Sequence, residues 1–135
     1  MKEKDEQLKI LKNSFNLKKG LHFWCRATPV SKQSRNKIKK DLTEQILQAR
    51  VKRIKLTSDR IKEFFNGDLG IELTFGLREK RLRKNDIDNL IKQSLDCLKG
   101  ILFKDDSQIK EICGNKYSVN QKATECTGIR IYKIR

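Results

Sequence analysis

Four aspartates fall into two short words of a chain that carries 32 Lys and Arg against 17 Asp and Glu. The first word is Asn85-Asp86-Ile87-Asp88-Asn89-Leu90-Ile91-Lys92, and the second is Lys104-Asp105-Asp106-Ser107-Gln108-Ile109. Alternate residues of extended chain share a face, so an extended Asp86-x-Asp88 would aim two carboxylates at one point. Mg²⁺ is a hard cation that takes one or two carboxylates and keeps waters or substrate phosphates in its other positions. The pair suits such an ion. Apolar residues at Ile87, Ile91, Leu95 and Leu98 repeat at helical intervals up to Gly100, which predicts a helix with Asp88 at its N-terminus. Lys92 then lies one turn from Asp88 on the same face, where an ammonium can stabilise the added negative charge of a pentacoordinate transition state. A second reading stays open, in which Asn85, Asp86 and Asp88 only cap the helix. Asp105-Asp106 follows the apolar run Ile101-Leu102-Phe103 and precedes Ile109. That is the setting of a turn, and a turn would return a carboxylate to the first pair.

Read as one string, Asp86-Ile-Asp-Asn-Leu-Ile-Lys92, Leu95-Asp96-Cys97-Leu98, Asp105-Asp-Ser-Gln-Ile109 and Lys116 resembles the RusA family of crossover (Holliday) junction endodeoxyribonucleases. The order and spacing are similar to that family's Asp-x-Asp-Asn-x-x-Lys, (Phe/Leu)-Asp-x-Leu and Asp-Asp-x-Gln-(Ile/Val) pattern. The resemblance implies metal ligation by Asp86, Asp88 and Asp106, catalysis by these three with Lys92 as an essential cation, and supporting roles for Asp105, Asn89 and Gln108. It further implies Mg²⁺, with Mn²⁺ as a substitute, four-way junction DNA as substrate in recombination and repair, and a homodimer. Pro29 to Arg35 is similar to the entry loop after the family's first strand, while Arg83-Lys84-Asn85 stands where relatives often have Arg-Pro.

Charge and size agree with a nucleic-acid partner. A formal charge of +15 on 135 residues attracts polyanions, and the length suits a single domain. Lys32, Arg35, Arg83 and Lys84 are the expected phosphate contacts, holding backbone without reading sequence. No apolar run approaches the length a bilayer needs, so no membrane partner is expected, nor is a small-molecule cofactor. Cys25, Cys97, Cys113 and Cys126 lack metal-site spacing and His22 is the only histidine, so the cysteines read as reduced core thiols. The opening Met-Lys-Glu-Lys-Asp-Glu has no apolar signal-peptide core, which makes the cytoplasm the expected compartment. A flap or fork nuclease, and a non-catalytic basic nucleic-acid binder, are the alternatives; the binder leaves the acidic words unexplained, since carboxylates facing a polyanion repel it unless a metal offsets them.

The elements that must position these residues follow in order. Residues 1–20 form a basic extension with Leu8, Leu11 and Phe15 at helical spacing; residues 21–135 form the nuclease-like domain. Leu21 to Ala27 reads as a strand ended by Pro29, with His22 and Trp24 on one face. Ile38, Leu42, Ile46 and Ala49 mark a helix from about Arg35 to Ala49 with a lysine-rich outer side. Thr57-Ser58-Asp59 opens a short capped helix that reads as local filler before the sheet. Ile71, Leu73, Phe75 and Leu77 alternate with Glu72, Thr74 and Gly76, the clearest strand pattern in the chain. Arg78 to Lys84 reads as a basic connector, and Gln108 to Val119 with Gly128 to Ile134 as a closing hairpin. The expected fold class is α+β or α/β, a small mixed sheet packed against two main helices in a single domain.

Overall fold

The strand predicted most clearly is the axis of the molecule. In the computed structural model, which describes residues 20–48, 50–51, 54–55 and 57–134, β4 spans Leu69–Arg78. Leu69, Ile71, Leu73, Phe75 and Leu77 are each 0 % exposed, because alternate side chains enter one core. Around β4 lie β1 (Leu21–Cys25), β5 (Ile109–Val119) and β6 (Cys126–Lys133) in the order β1-β6-β4-β5. β5 runs parallel to β4, and β6 antiparallel to both β4 and β1. The mixed sheet, with α-helices packed on it, bears out the α+β expectation.

Helices cover one face. α1 (Lys32–Gln48) buries Ile38, Leu42 and Ile46, and packs on β1. Its start is fixed by Ser31, whose hydroxyl accepts from the Ser34 N–H at 3.1 Å. A two-residue pair, β2 (Arg50–Val51) with β3 (Ile54–Lys55), follows. α2 (Ser58–Phe64) starts at Thr57, whose Oγ1 accepts from the Arg60 N–H at 3.2 Å. It is not filler, because Ile61 and Phe64 and the following Phe65 are 1 %, 3 % and 0 % exposed. The basic connector is itself helical: α3 spans Glu79–Lys84, with Arg83 paired to Glu79 at 3.0 Å across one turn. Glu, Lys, Arg and Leu all favour helix, but six residues are too few for a periodic signal. α4 (Ile87–Leu98) packs on α1 and β5. It ends as expected at Gly100, whose φ of +85° is readily adopted only by glycine.

The expected closing hairpin does not form. β5 and β6 flank β4 on opposite sides, and the segment between them crosses the end of β4. Burial explains the choice: Thr127, Gly128, Ile129 and Ile131 of β6 are buried, whereas most of β5 is exposed. The apolar strand takes the inner position and the polar one, with Lys110, Glu111, Asn115 and Lys116, takes the edge. Among the described residues no helix packs on the sheet's other face. There Arg130 holds Glu72 in a two-armed ion pair at 2.7 and 2.8 Å, which lowers the Glu72 carboxyl below its ordinary range, chiefly through the hydrogen bond. His22 and Trp24 point to this face, opposite Arg130 and Gly128. The expected extension over residues 1–20 lies, apart from Gly20, outside the described residues.

Only two of the four cysteines are core thiols. Cys25 and Cys97 are 1 % exposed, while Cys113 is exposed and Cys126 half-buried. Burial, helped by Asp41, pushes the Cys25 thiol up to about 12, and burial also raises Cys97. Thiolate is the reactive form, so iodoacetamide at pH 8 is expected to alkylate Cys113 in the folded protein and to spare Cys25 and Cys97 until denaturant is added. Peptide mass spectrometry reads this directly, and early labelling of Cys25 would contradict the packing of β1 under α1.

Candidate active site

A two-residue link joins α3 to α4 and carries the first acidic word. Asn85 (φ −113°, ψ 110°) closes α3, and Asp86 (φ −68°, ψ 142°) occupies the N-cap position of α4. The expected helix with Asp88 at its N-terminus is present, and the pair straddles that helix start: Asp86 has extended backbone while Asp88 is already in the first helical turn, so the two do not share one extended segment. The capping alternative is met only in position. Asp86 accepts the Leu90 N–H at 3.1 Å through its backbone carbonyl, while its side chain makes no cap hydrogen bond. The Asp88 carboxylate accepts the neighbouring Asn89 N–H at 2.9 Å. Both aspartates are exposed, as are Asn89 and Lys92, and none of Asp86, Asp88 and Lys92 forms an ion pair among the described residues. Both carboxylates sit at the positive end of the α4 dipole.

The second word is a tight turn built by Gln108. Its Oε1 accepts the N–H groups of Lys104 and Asp105, each at 3.0 Å. Its Nε2 donates to the carbonyls of Phe65 at 2.8 Å and Gly67 at 3.0 Å. One amide thus pins the turn to the chain entering β4. Within the pair the two carboxylates differ. Asp105 accepts from Ser107 Oγ and lies 3.7 Å from Lys99 Nζ, and the Ser107 hydrogen bond, then Lys99, hold its carboxyl below the ordinary range. Asp106 is exposed, and its side chain has no hydrogen-bond or ion-pair partner among the described residues.

The structure brings Asp86 and Asp88 together at one helix start and sets Asp106 apart. α4 begins over β5 at Gly114, where an added Cβ would lie 2.7 Å from Ile91 Cδ1, and it ends beside Lys99, the partner of Asp105. Its twelve residues span about 18 Å. Asp106 therefore stands at the opposite end of α4 from Asp86. Consistent with this, no three Asp, Glu, His or Cys side chains among the described residues gather closely enough to hold one metal ion.

Lys32, Arg83 and Lys84 are exposed and Arg35 half-buried, with Arg83 already engaged by Glu79. Sequence reading missed a concavity of about 700 Å³ at the start of α1, lined by Arg26, Lys37, Arg81 and Lys122 together with Ser31 and Ser34. Its basic residues come from separate elements, so the charge count foretold their sign but not their meeting place. Arg81 is held there by the 6 % exposed Glu125 at 3.1 Å, and the Glu125 carboxylate also accepts the Arg78 N–H at 3.1 Å.

Exposed carboxylates at a helix start, in a chain of formal charge +15, fit a protein that works on the phosphodiester backbone of nucleic acid. The family is more specific. A family model described as Endodeoxyribonuclease RusA matches residues 26–131, and the chain belongs to that family of DNA-cleaving enzymes. No curated protein gives a significant match to the chain.

Proposed function

We propose that the protein is a divalent-metal-dependent endonuclease that resolves four-way (Holliday) DNA junctions by paired, symmetric nicks, working as a homodimer in recombination and repair. The observation that carries the reading is the Asp86-Asp88 helix start, without a side-chain cap bond and, among the described residues, without an ion-pair partner, in a chain whose family cleaves DNA. Two exposed carboxylates free of cationic partners are a donor set suited to a hard, oxygen-seeking ion. Asp86 and Asp88 would hold Mg²⁺ or Mn²⁺, and the ion would supply an activated water and a polarised phosphate. Lys92, one turn along α4, would neutralise charge developing on the scissile phosphate. Asp105 is committed to Ser107 and Lys99, which leaves Asp106 as the carboxylate of the second word for the metal. Arg26, Lys32, Arg35, Lys37, Arg83 and Lys84 would hold DNA backbone without reading bases.

The position of Asp106 makes the dimer more than a matter of symmetry. One chain cannot bring Asp106 across the length of α4 to Asp86. A second copy related by a two-fold axis can present its own Asp106 to the Asp86-Asp88 pair, and the same operation completes the other site. Two equivalent sites then match two symmetric nicks. Labelled four-way junction, linear duplex and flap DNA, each incubated with Mg²⁺ or with EDTA, test the activity. Paired nicks in the junction, abolished by EDTA, are expected. Preferred cutting of flaps would replace the resolvase reading with a flap nuclease, and binding without cutting would leave a nucleic-acid binder. Sedimentation at micromolar protein is expected to show a dimer, and a monomer that still made paired nicks would remove the shared site.

A further inference from the structure

Lys116 sits on the helix-covered face of β5, where it stands opposite Phe75, just as Ile112 and Gly114 stand opposite the buried Ile71 and Leu73. Lys116 is half-buried there, and an ammonium partly withdrawn from water needs hydrogen-bond acceptors. Among the described residues it has no carboxylate partner. Instead Nζ donates to the carbonyls of Leu82 at 2.7 Å and Asn85 at 2.8 Å. These belong to the end of α3, where a helix leaves carbonyls unpaired and where a cation is favoured by the dipole. The Asn85 side chain completes the closure by donating to the Arg81 carbonyl at 2.7 Å.

We infer that Lys116 is the positioning residue of the Asp86 carboxylate. Asn85 and Asp86 are the whole link between α3 and α4, and the Asp86 side chain, having no cap hydrogen bond, is aimed only by its own backbone. Lys116 holds the carbonyl of the peptide that joins Asn85 to Asp86. It thereby fixes the orientation of that peptide against the sheet, and with it the direction in which Asp86 leaves the chain. The bland role of a C-terminal cap for α3 needs only the Leu82 bond; the Asn85 bond is the one that reaches the site. The inference rests on the reading of Asp86 as a metal-side carboxylate.

The test compares Lys116→Met, Lys116→Arg and Asp86→Asn in the full chain. Calorimetric titration with Mg²⁺ alone is expected to show at least tenfold weaker binding in Lys116→Met, with cleavage requiring at least tenfold more Mg²⁺ for half-maximal rate. Junction affinity in EDTA is expected to stay within twofold of the parent, and Lys116→Arg to recover most of the Mg²⁺ response. Backbone hydrogen exchange is expected to rise at residues 82–88 and not at the distant β1. Lys116→Met with unchanged Mg²⁺ binding and unchanged exchange at Asp86 overturns the inference. So does a loss of junction affinity in EDTA as large as the loss of rate, which would make Lys116 a phosphate anchor. If Asp86→Asn itself binds Mg²⁺ and cleaves normally, the metal reading of Asp86 fails, while the exchange measurement still decides whether Lys116 holds the link. Should Lys116→Met not fold, Lys116→Gln, which keeps a donor without the charge, carries the same comparisons.

Discussion

Asp86→Asn, Asp88→Asn and Asp106→Asn are each expected to lower junction cleavage by roughly a thousandfold or more, the scale on which losing one charge-stabilising group acts, while junction binding in EDTA is kept or strengthened. Amide for carboxylate is nearly isosteric, and none of the three side chains makes a contact that holds the fold: Asp86 lacks its cap bond, Asp88 bonds only its neighbour's N–H, and Asp106 has no side-chain partner among the described residues. Removing negative charge beside bound phosphates reduces repulsion. Asp105→Asn is expected to be milder on catalysis, since its carboxylate serves Ser107 and Lys99. Mixing gives the sharper result. In a heterodimer of Asp86→Asn with Asp106→Asn chains, a site shared between copies leaves one centre with both changes and one centre intact, so single-strand nicking returns. If every site lay within one chain, both centres would stay dead, and an inactive mixture of exchanged subunits would refute the shared site.

Lys92→Ala is expected to lower kcat by roughly two to three orders of magnitude, as loss of a group that acts on transition-state charge does, with little change in junction affinity. The side chain is exposed one turn beyond Asp88 and has no ion-pair partner among the described residues, so its removal disturbs no structural contact. A contact made only in the transition state appears in kcat and kcat/KM together. Lys84→Ala and Lys37→Ala, by contrast, are expected to weaken binding and to flatten its salt dependence by about one unit of slope each. A Lys92→Ala protein that bound poorly but cut normally at saturation would reduce Lys92 to another phosphate contact.

Features with a strong local signal were legible in the chain. The strict alternation from Ile71 to Leu77 gave the central strand, and Ile38, Leu42 and Ile46 gave α1, because in each case one face meets one core. Gly100 marked the end of α4 through its positive φ. The two acidic words were visible as chemistry, yet their geometry was not. Asp-x-Asp looks the same in sequence whether it is extended or straddles a helix start, and here the six-residue α3 decides, since it delivers Asp86 directly into an N-cap position. The distance between Asp86 and Asp106 depends on α4 running back along β5, a tertiary fact with no local trace. Strand order failed for a related reason. β5 and β6 adjoin in sequence, which favours a hairpin, but the apolar content of β6 draws it to the inside and leaves β5 at the rim.

Both ends of the α4 segment are tied to fixed points on the sheet, Asn85 to Lys116 of β5 and Gln108 to Phe65 and Gly67 before β4. The stretch between them works as a gauge of set length. Deleting a single residue from α4 would turn Asp88 by about 100° around the helix axis relative to everything beyond the deletion and shorten the span by about 1.5 Å, and neither anchor can slide to absorb the error. Deleting a full turn would restore the facing and leave the reach short by about 5.4 Å. Length changes that leave the anchors alone are available in the crossing from Asn120 to Glu125, whose Asn120 to Thr124 are exposed. Natural or designed variants of this domain should therefore differ in loop length there and hold a constant residue count from Asp86 to Gln108, whatever happens to the side chains in between.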